Sequence, residues 1–297
     1  MPESPRDNSG DKPEILVITG PTASGKTAFA FHLAKTDPSI EIVSADVQLL
    51  YRGFDIGTAK PSAEERARVL HHLIDILDPS ESFSASEYSE QARRVIREIL
   101  ARKKTPVIVG GSGLYIDAIF HGILQSDTSS DAFTLARNRV KGEIATQGFE
   151  RMHAKLKDVD PELYLQIARE MNPLRLQRAW EFYYATGKPL GQARKERTDA
   201  FEYKPRIHLI EPIREALKTR IENRIDEMLA AGWMNEVEGL RKNGVTVDMP
   251  SMRAIGYLEL ASVLEGQLSL EAAREKIIVR TRQYAKRQVT WMKRYRT

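Results

Sequence analysis

Four short and largely apolar runs, at residues 15–18, 40–45, 106–109 and 206–210, punctuate a chain whose other apolar positions recur at helical spacing. Runs of four to six residues that end in Gly, Asp or polar turns predict strands buried on both faces, as in a parallel sheet. Residues 28–34 after the first run predict a helix. Another is predicted to open near Ser62. Ser84 and Glu87 form a capping box ahead of Tyr88, Ala92, Val95, Ile96, Ile99 and Leu100, which lie on one helical face. From Asp117 to about Arg197 the strand signals stop. Polar residues 125–131 predict a linker, and helical patterns follow at 135–144, 149–156 and 163–168, the last opened by Asp160 and Pro161. Asn172 and Pro173 open a further helix over 174–185, which Gly187 closes. A helix over 214–231, one beginning at Met252 and a final one from Leu270 complete the pattern.

The prediction is an α/β fold: a parallel-sheet core of the P-loop NTPase kind, over residues 13–120 and 203–297, with an all-helical insertion over residues 121–202. Residues 1–12 are polar and expected to be a disordered tail. No run approaches membrane-span length and the first residues have no hydrophobic signal core, so no membrane contact and a cytoplasmic location are expected.

The first apolar run feeds Gly20, Pro21, Thr22, Ala23, Ser24, Gly25, Lys26 and Thr27. Strand, glycine-rich turn and helix are the context of a phosphate-binding loop, whose backbone N–H groups and lysine hold phosphate oxygens. Thr27 places a hydroxyl where a phosphate-bound Mg²⁺ ion would sit. Taken alone, the motif suggests nucleotide binding, with ATP as the cargo. Asp46 ends the second run and is expected on the same sheet edge as the loop, facing that cargo; the alternative is that it only caps a turn. The third run ends in Gly110, Gly111 and Ser112, without the Asp that a P-loop ATPase usually carries there, which favours an enzyme that grips phosphate without hydrolysing ATP. Arg220 and Arg224, at i and i+4, either clamp a diphosphate or pair with acids. His71 and His72, adjacent in a strand, point to opposite faces and make a poor metal pair.

Composition changes this picture in two places. The chain has 297 residues and no cysteine, which excludes disulfides, a thiol nucleophile and cysteine-ligated zinc. The net charge is +4, yet Arg280, Arg282, Lys286, Arg287, Lys293, Arg294 and Arg296 stand in an end with no acidic residue, leaving about −3 for the rest. That end, interleaved with Tyr284, Trp291 and Tyr295, suggests contact with a polyanion. The alternative is a solvated helix anchored by its aromatic residues.

The chain resembles the tRNA dimethylallyltransferase (tRNA isopentenyltransferase) family from about Ile15 to its C-terminus. The resemblance is carried, in order, by GPTASGKT at 20–27, SAD at 44–46, YRGFDIGTAKP at 51–61, HHLIDI at 71–76, VGGSGLY at 109–115, MRAIGY at 252–257 and TRQYAKRQVTW at 281–291. It implies a Mg²⁺-assisted enzyme, expected to be a monomer. Its reaction would be transfer of a dimethylallyl group from dimethylallyl diphosphate to the exocyclic amine of the adenosine 3′ to the anticodon, with release of diphosphate. It implies Asp46 as general base, with Lys26 and Ser112 as its catalytic neighbours, and the helical insertion as the grip on the anticodon stem-loop. By the same likeness, tRNA contacts fall on Asp46, Val47, Gln48, Leu49, Ser112 and Arg137. They continue over Leu174, Arg175, Leu176, Gln177 and Arg178, and over Arg253, Ala254, Ile255, Gly256, Tyr257 and Leu258. Val47 and Leu49 stand where the family commonly has serine and glutamine, and Leu174 where many members have glutamine. Competing readings are a prenyltransferase for free adenine nucleotides, a P-loop kinase or NTPase, and a tRNA-binding protein without catalysis.

Overall fold

Apolar runs of alternating facing build a five-stranded parallel sheet in the order β3-β2-β4-β1-β5. The strands are β1 (Glu14–Thr19), β2 (Ile40–Ser44), β3 (His71–His72), β4 (Thr105–Gly110) and β5 (Lys204–Leu209). The computed structural model describes residues 12–122, 130–170, 172–195 and 201–296. Residues 1–11 of the expected tail and 125–129 of the expected linker lie outside them.

Because side chains alternate along a strand, each central strand serves two cores. Val17, Val43 and Ile108 enter the larger one with α3 (Ala85–Ala101). Ile18, Ile42 and Val107 enter a smaller one with Ala30 and Ala34 of α1 (Lys26–Thr36). The capping boxes at Ser62, before α2 (Ala63–Arg68), and at Ser84, before α3, form with both reciprocal hydrogen bonds. The paired histidines go separate ways: His71 Nδ1 meets the Val69 carbonyl and His72 Nε2 meets Glu41.

Two compact units result, one comprising residues 1–121 and 201–297 and the other residues 122–200. The second is helical: α5 (Asp131–Gln147), α6 (Phe149–Val159), α7 (Pro161–Glu170), α8 (Pro173–Thr186) and α9 (Leu190–Lys195). Its own core gathers Phe133, Val140, Met152, Leu156, Ile167, Leu176 and Trp180. Each large apolar side chain so removed from water contributes roughly 1.5–3 kcal/mol. Asn172 caps α8 by accepting from the Leu174 and Arg175 N–H groups, and Gly187 closes it in the left-handed conformation.

Helices missing from the hydrophobic pattern are α4 (Gly113–His121), α9 and α11 (Trp233–Lys242). Helix α4 buries Tyr115, Ile116, Ala118, Ile119 and Phe120, so it is apolar nearly all round and has no period to read. The remaining helices are α10 (Arg214–Ala230), α12 (Tyr257–Leu264) and α13 (Leu270–Met292). No helix among the described residues is long and apolar enough to cross a membrane.

The helix expected from Met252 is corrected. Residues Pro250–Arg253 form a short 3₁₀ turn, and the α-helix starts only at Tyr257. Gly256 stands between them at φ 101°, and its Cα lies so close to Trp233 that a Cβ would come within 2.1 Å of the indole. Gly57 approaches the same ring, where a Cβ would fall 2.1 Å from Nε1. Gly57→Ala should therefore lower stability by about 1–3 kcal/mol through overpacking, and Gly256→Ala by more, since backbone strain adds to the clash. Urea unfolding of both variants, alone and combined with Trp233→Leu, checks this. Relief by the second substitution is the expected coupling, and additivity would place the cost elsewhere.

Candidate active site

The carboxyl ends of β1, β2 and β4 lie on one edge of the sheet, so residues 20–27, Asp46 and Gly110–Ser112 converge there. After β1 the chain turns sharply: Ala23 and Gly25 take positive φ (59° and 99°) and Ser24 N–H donates to the Pro21 carbonyl. This curl leaves the N–H groups of Ala23, Gly25, Lys26 and Thr27 without hydrogen-bond partners among the described residues. A cluster of free N–H groups at the start of α1 suits an anion. The Lys26 ammonium folds back on it, donating to the carbonyls of Gly20 (2.9 Å) and Pro21 (2.7 Å). Burial pulls its pKa down to about 8; the Asp46 charge opposes that and the Arg224 charge adds to it.

Asp46 follows β2. One carboxylate oxygen, Oδ1, accepts from Gln48 N–H at 3.1 Å and so caps the 3₁₀ turn Val47–Leu50. The capping reading is thus correct for one oxygen, while Oδ2 has no hydrogen-bond partner among the described residues. Ser112 sits behind this turn: its hydroxyl accepts from Val47 N–H at 3.3 Å, and its own N–H donates to the Ala45 carbonyl. Burial pushes the Tyr284 phenol well up, the Asp46 charge adds to the shift, and the Ser112 hydroxyl opposes it.

One pocket joins the loop, Asp46 and Tyr284, while Ser112 is not among its lining residues. Thr22, Ala23, Lys26, Thr27, Asp46 and Arg224 line its polar side, and Leu49, Ile221, Ile225, Met228, Trp233, Ile255 and Ile277 its apolar side. The two arginines of α10 part company. Arg224 faces the pocket without an ion pair among the described residues, and burial lowers its pKa. Arg220 instead donates to the Ser24 carbonyl at 3.4 Å and braces the loop from outside. A buried, unpaired guanidinium is costly unless an anion meets it. Among the described residues no three His, Cys, Asp or Glu side chains cluster to hold a metal. The Thr27 hydroxyl on the pocket wall is a hard oxygen donor. It suits an ion such as Mg²⁺ that keeps most of its ligands as water and phosphate oxygen.

The glycine-rich loop at 51–61 forms another wall through Gly57, Thr58 and Ala59. Glu236 of α11 holds it by accepting from the N–H groups of Asp55, Ile56 and Gly57 and from the Tyr257 hydroxyl (2.6 Å). Tyr257 and Gly256 are therefore built into the wall, and Leu258 packs on the core. Ile255 reaches the pocket, while Arg253 and Ala254 line an adjoining hollow with Val47, Gln48 and Tyr51. In the helical unit, Leu174 is exposed, Arg178 pairs with Glu181 at 3.6 Å, and Leu176 is buried in that unit's core. Arg175, Gln177 and Arg137 are half-buried there.

Sequence reasoning about single positions missed Trp233, Glu236, Thr281, Tyr284 and Gln288 as pocket builders. The last three fall within the 281–291 motif, spaced along one side of α13. The basic end is also more engaged than its charge suggested. Arg280 pairs with Glu259, Arg282 with Glu222, Arg294 with Asp117 and Arg296 with Glu211, and Trp291 and Tyr295 both donate to Asp117.

The family model described as IPP transferase matches residues 49–295. The tRNA dimethylallyltransferase of Ralstonia pickettii is 42% identical, over 96% of this chain and 89% of its own length. That of Geobacter sulfurreducens is 41% identical, over 97% and 91%. Among solved structures, the tRNA delta(2)-isopentenylpyrophosphate transferase of Staphylococcus epidermidis superposes with a TM-score of 0.66 at 39% identity, covering 95% of this chain and 90% of that one. A eukaryotic dimethylallyltransferase acting on tRNA gives 0.76 at 27% identity, covering 94% and 70%. With a parallel-sheet P-loop core, a shared site edge and these relatives along nearly all of its length, the chain belongs to the IPP transferase family.

Proposed function

We propose that this protein transfers a dimethylallyl group from dimethylallyl diphosphate to the exocyclic amine of the adenosine 3′ to the anticodon in tRNA. The observation that carries the reading is the single pocket in which a carboxylate, a cradle of free N–H groups and two cations face an apolar wall. An allylic diphosphate has the same two ends. In the reaction the C1–O bond to the diphosphate breaks as the bond from the amine nitrogen to C1 forms. The amine proton passes to Asp46, and diphosphate leaves with the electron pair of the broken bond. An adenine amine is a weak nucleophile because its lone pair is conjugated with the ring, so proton removal by a positioned carboxylate helps. The N–H cradle, Lys26 and Arg224 stabilise the charge that grows on the leaving group. Mg²⁺, held by the Thr27 hydroxyl and phosphate oxygens, would add positive charge to the same group when bound.

The target base must leave its stack to reach Asp46. Arg253, without an ion pair among the described residues and beside the hollow next to Gln48, is suited to hold the RNA backbone near that point. Arg137, the exposed Leu174, Arg175, Gln177 and Arg178 are proposed to grip the stem-loop; Leu176 supports them from the core. The protein is proposed to work as a monomer in the cytoplasm with its tRNA. Incubation with labelled dimethylallyl diphosphate, Mg²⁺ and either tRNA or AMP tests the reading. Label is expected on tRNA alone. Label on AMP but not tRNA, or ATP turnover without prenyl transfer, would overturn it.

The ion pairs of the C-terminal helix sharpen one prediction. Lys286, Arg287 and Lys293 have no carboxylate partner among the described residues, so they are the cations left for phosphate. Their replacement by Glu should weaken tRNA binding and lower the slope of log affinity against log salt by up to about 0.7–0.9 per lost phosphate contact. Arg294→Glu should instead lower the melting temperature and leave the slope nearly unchanged. A slope altered equally by both sets would refute this division.

A further inference from the structure

Gln288 enters the phosphate cradle from α13, 266 residues away from the loop in sequence. Its side chain is buried. The amide oxygen accepts the Thr22 N–H at 2.8 Å, and the amide nitrogen donates to the Gly111 carbonyl at 3.0 Å. The fit leaves no slack: a Cβ on Gly111 would lie 2.2 Å from the Gln288 amide nitrogen. Both Thr22 and Gln288 line the same pocket as Lys26 and Thr27. Around the curl, the N–H groups of Ala23, Gly25, Lys26 and Thr27 are uncommitted among the described residues, and of the loop positions that line the pocket only Thr22, at its beginning, has its N–H taken by a side chain.

We infer that Gln288 closes the far end of the cradle, so that the loop holds two phosphate groups and turns away a third. The inference rests on the reading of the loop as a diphosphate site. Four free N–H groups, the Lys26 ammonium, the Thr27 hydroxyl and the Arg224 guanidinium supply donors for a diphosphate. An anion extended by one phosphate toward the loop's beginning needs the Thr22 N–H, and meets a buried neutral amide that already holds it. Breaking that bond would leave the buried Gln288 amide oxygen without its donor. A loop whose motif matches nucleotide-binding proteins thus acquires its preference from a residue outside the motif. Discrimination by an occupied polar group is a steep kind, because the wrong ligand must strand it.

The test is calorimetric titration of the full chain with inorganic diphosphate and inorganic triphosphate, both with Mg²⁺. The wild type should bind diphosphate more tightly than triphosphate. Gln288→Ala frees the Thr22 N–H and opens space, and should shift the affinity ratio toward triphosphate by about tenfold or more. Gln288→Asn, which withdraws the amide by one methylene group, is the milder probe if alanine compromises folding, and should shift the ratio in the same direction. Equal weakening of both anions in the variants would make Gln288 a structural brace and overturn the inference, as would a wild type that binds triphosphate as well as diphosphate. Failure of prenyl transfer with the wild-type preference and its shift intact would sink the reaction and spare the role of Gln288.

Discussion

Asp46→Asn should leave tRNA affinity near that of the wild type and lower the rate of prenyl transfer by about 10²–10⁴, the usual worth of a positioned general base. The substitution is nearly isosteric, and the asparagine oxygen can still accept the Gln48 N–H that caps the 3₁₀ turn. The local backbone should therefore hold while the basic oxygen is lost. Single-turnover rates with saturating donor and tRNA separate the chemical step from binding. Asp46→Ala also removes the cap and should cost more stability than Asn for a similar loss of rate. Full activity in the Asn variant would remove Asp46 from the proton-transfer step. A rise in KM with kcat preserved would make it a binding residue only.

Lys26→Ala should lower kcat/KM for the donor by about 10²–10³, the range for losing one preorganised group that stabilises transition-state charge. Its pH behaviour gives a second readout. In the free enzyme burial holds the ammonium pKa down to about 8. The protonated form is the one that meets diphosphate, so kcat/KM should fall as pH rises through about 8. Bound diphosphate favours the ammonium, so the fall in kcat should lie at higher pH. Lys26→Arg keeps its proton throughout and should show no such fall, even if its geometry makes it slower at every pH. A profile that drops through pH 8 equally in the Arg variant would assign the titration to another group.

The curled loop with its free N–H groups was legible because its causes are local. Gly25 and Ala23 curl the turn, Lys26 and Thr27 begin the helix, and all lie within eight residues of one another. Asp46 was legible for a related reason: parallel strands bring their carboxyl ends to one edge, so a polar residue ending β2 must come near the loop after β1. Arg220 and Arg224 show where local reasoning ran out. Spacing placed both on one helical face, yet only Arg224 lines the pocket, since Arg220 is drawn to the Ser24 carbonyl. The start of α12 was misplaced because Gly256 makes a left-handed turn packed against a tryptophan of another helix, an arrangement that no nearby residue signals.

By itself, then, the sequence determined four of the five strands, the curled glycine-rich loop, the carboxylate on the same sheet edge and the break between sheet-forming and helical segments. These follow from periodicity, turn chemistry and capping over a few residues. The tertiary structure alone decided which distant side chains finish the site. Glu236 ties down the loop at 55–57, Trp233 forms a wall against two glycines, and Gln288 takes the Thr22 N–H. It also decided that four of the seven C-terminal cations meet carboxylates on other elements. A hydrogen bond or ion pair acts over a few ångströms, and only the packed sheet and helices bring residues so far apart in the chain within that reach.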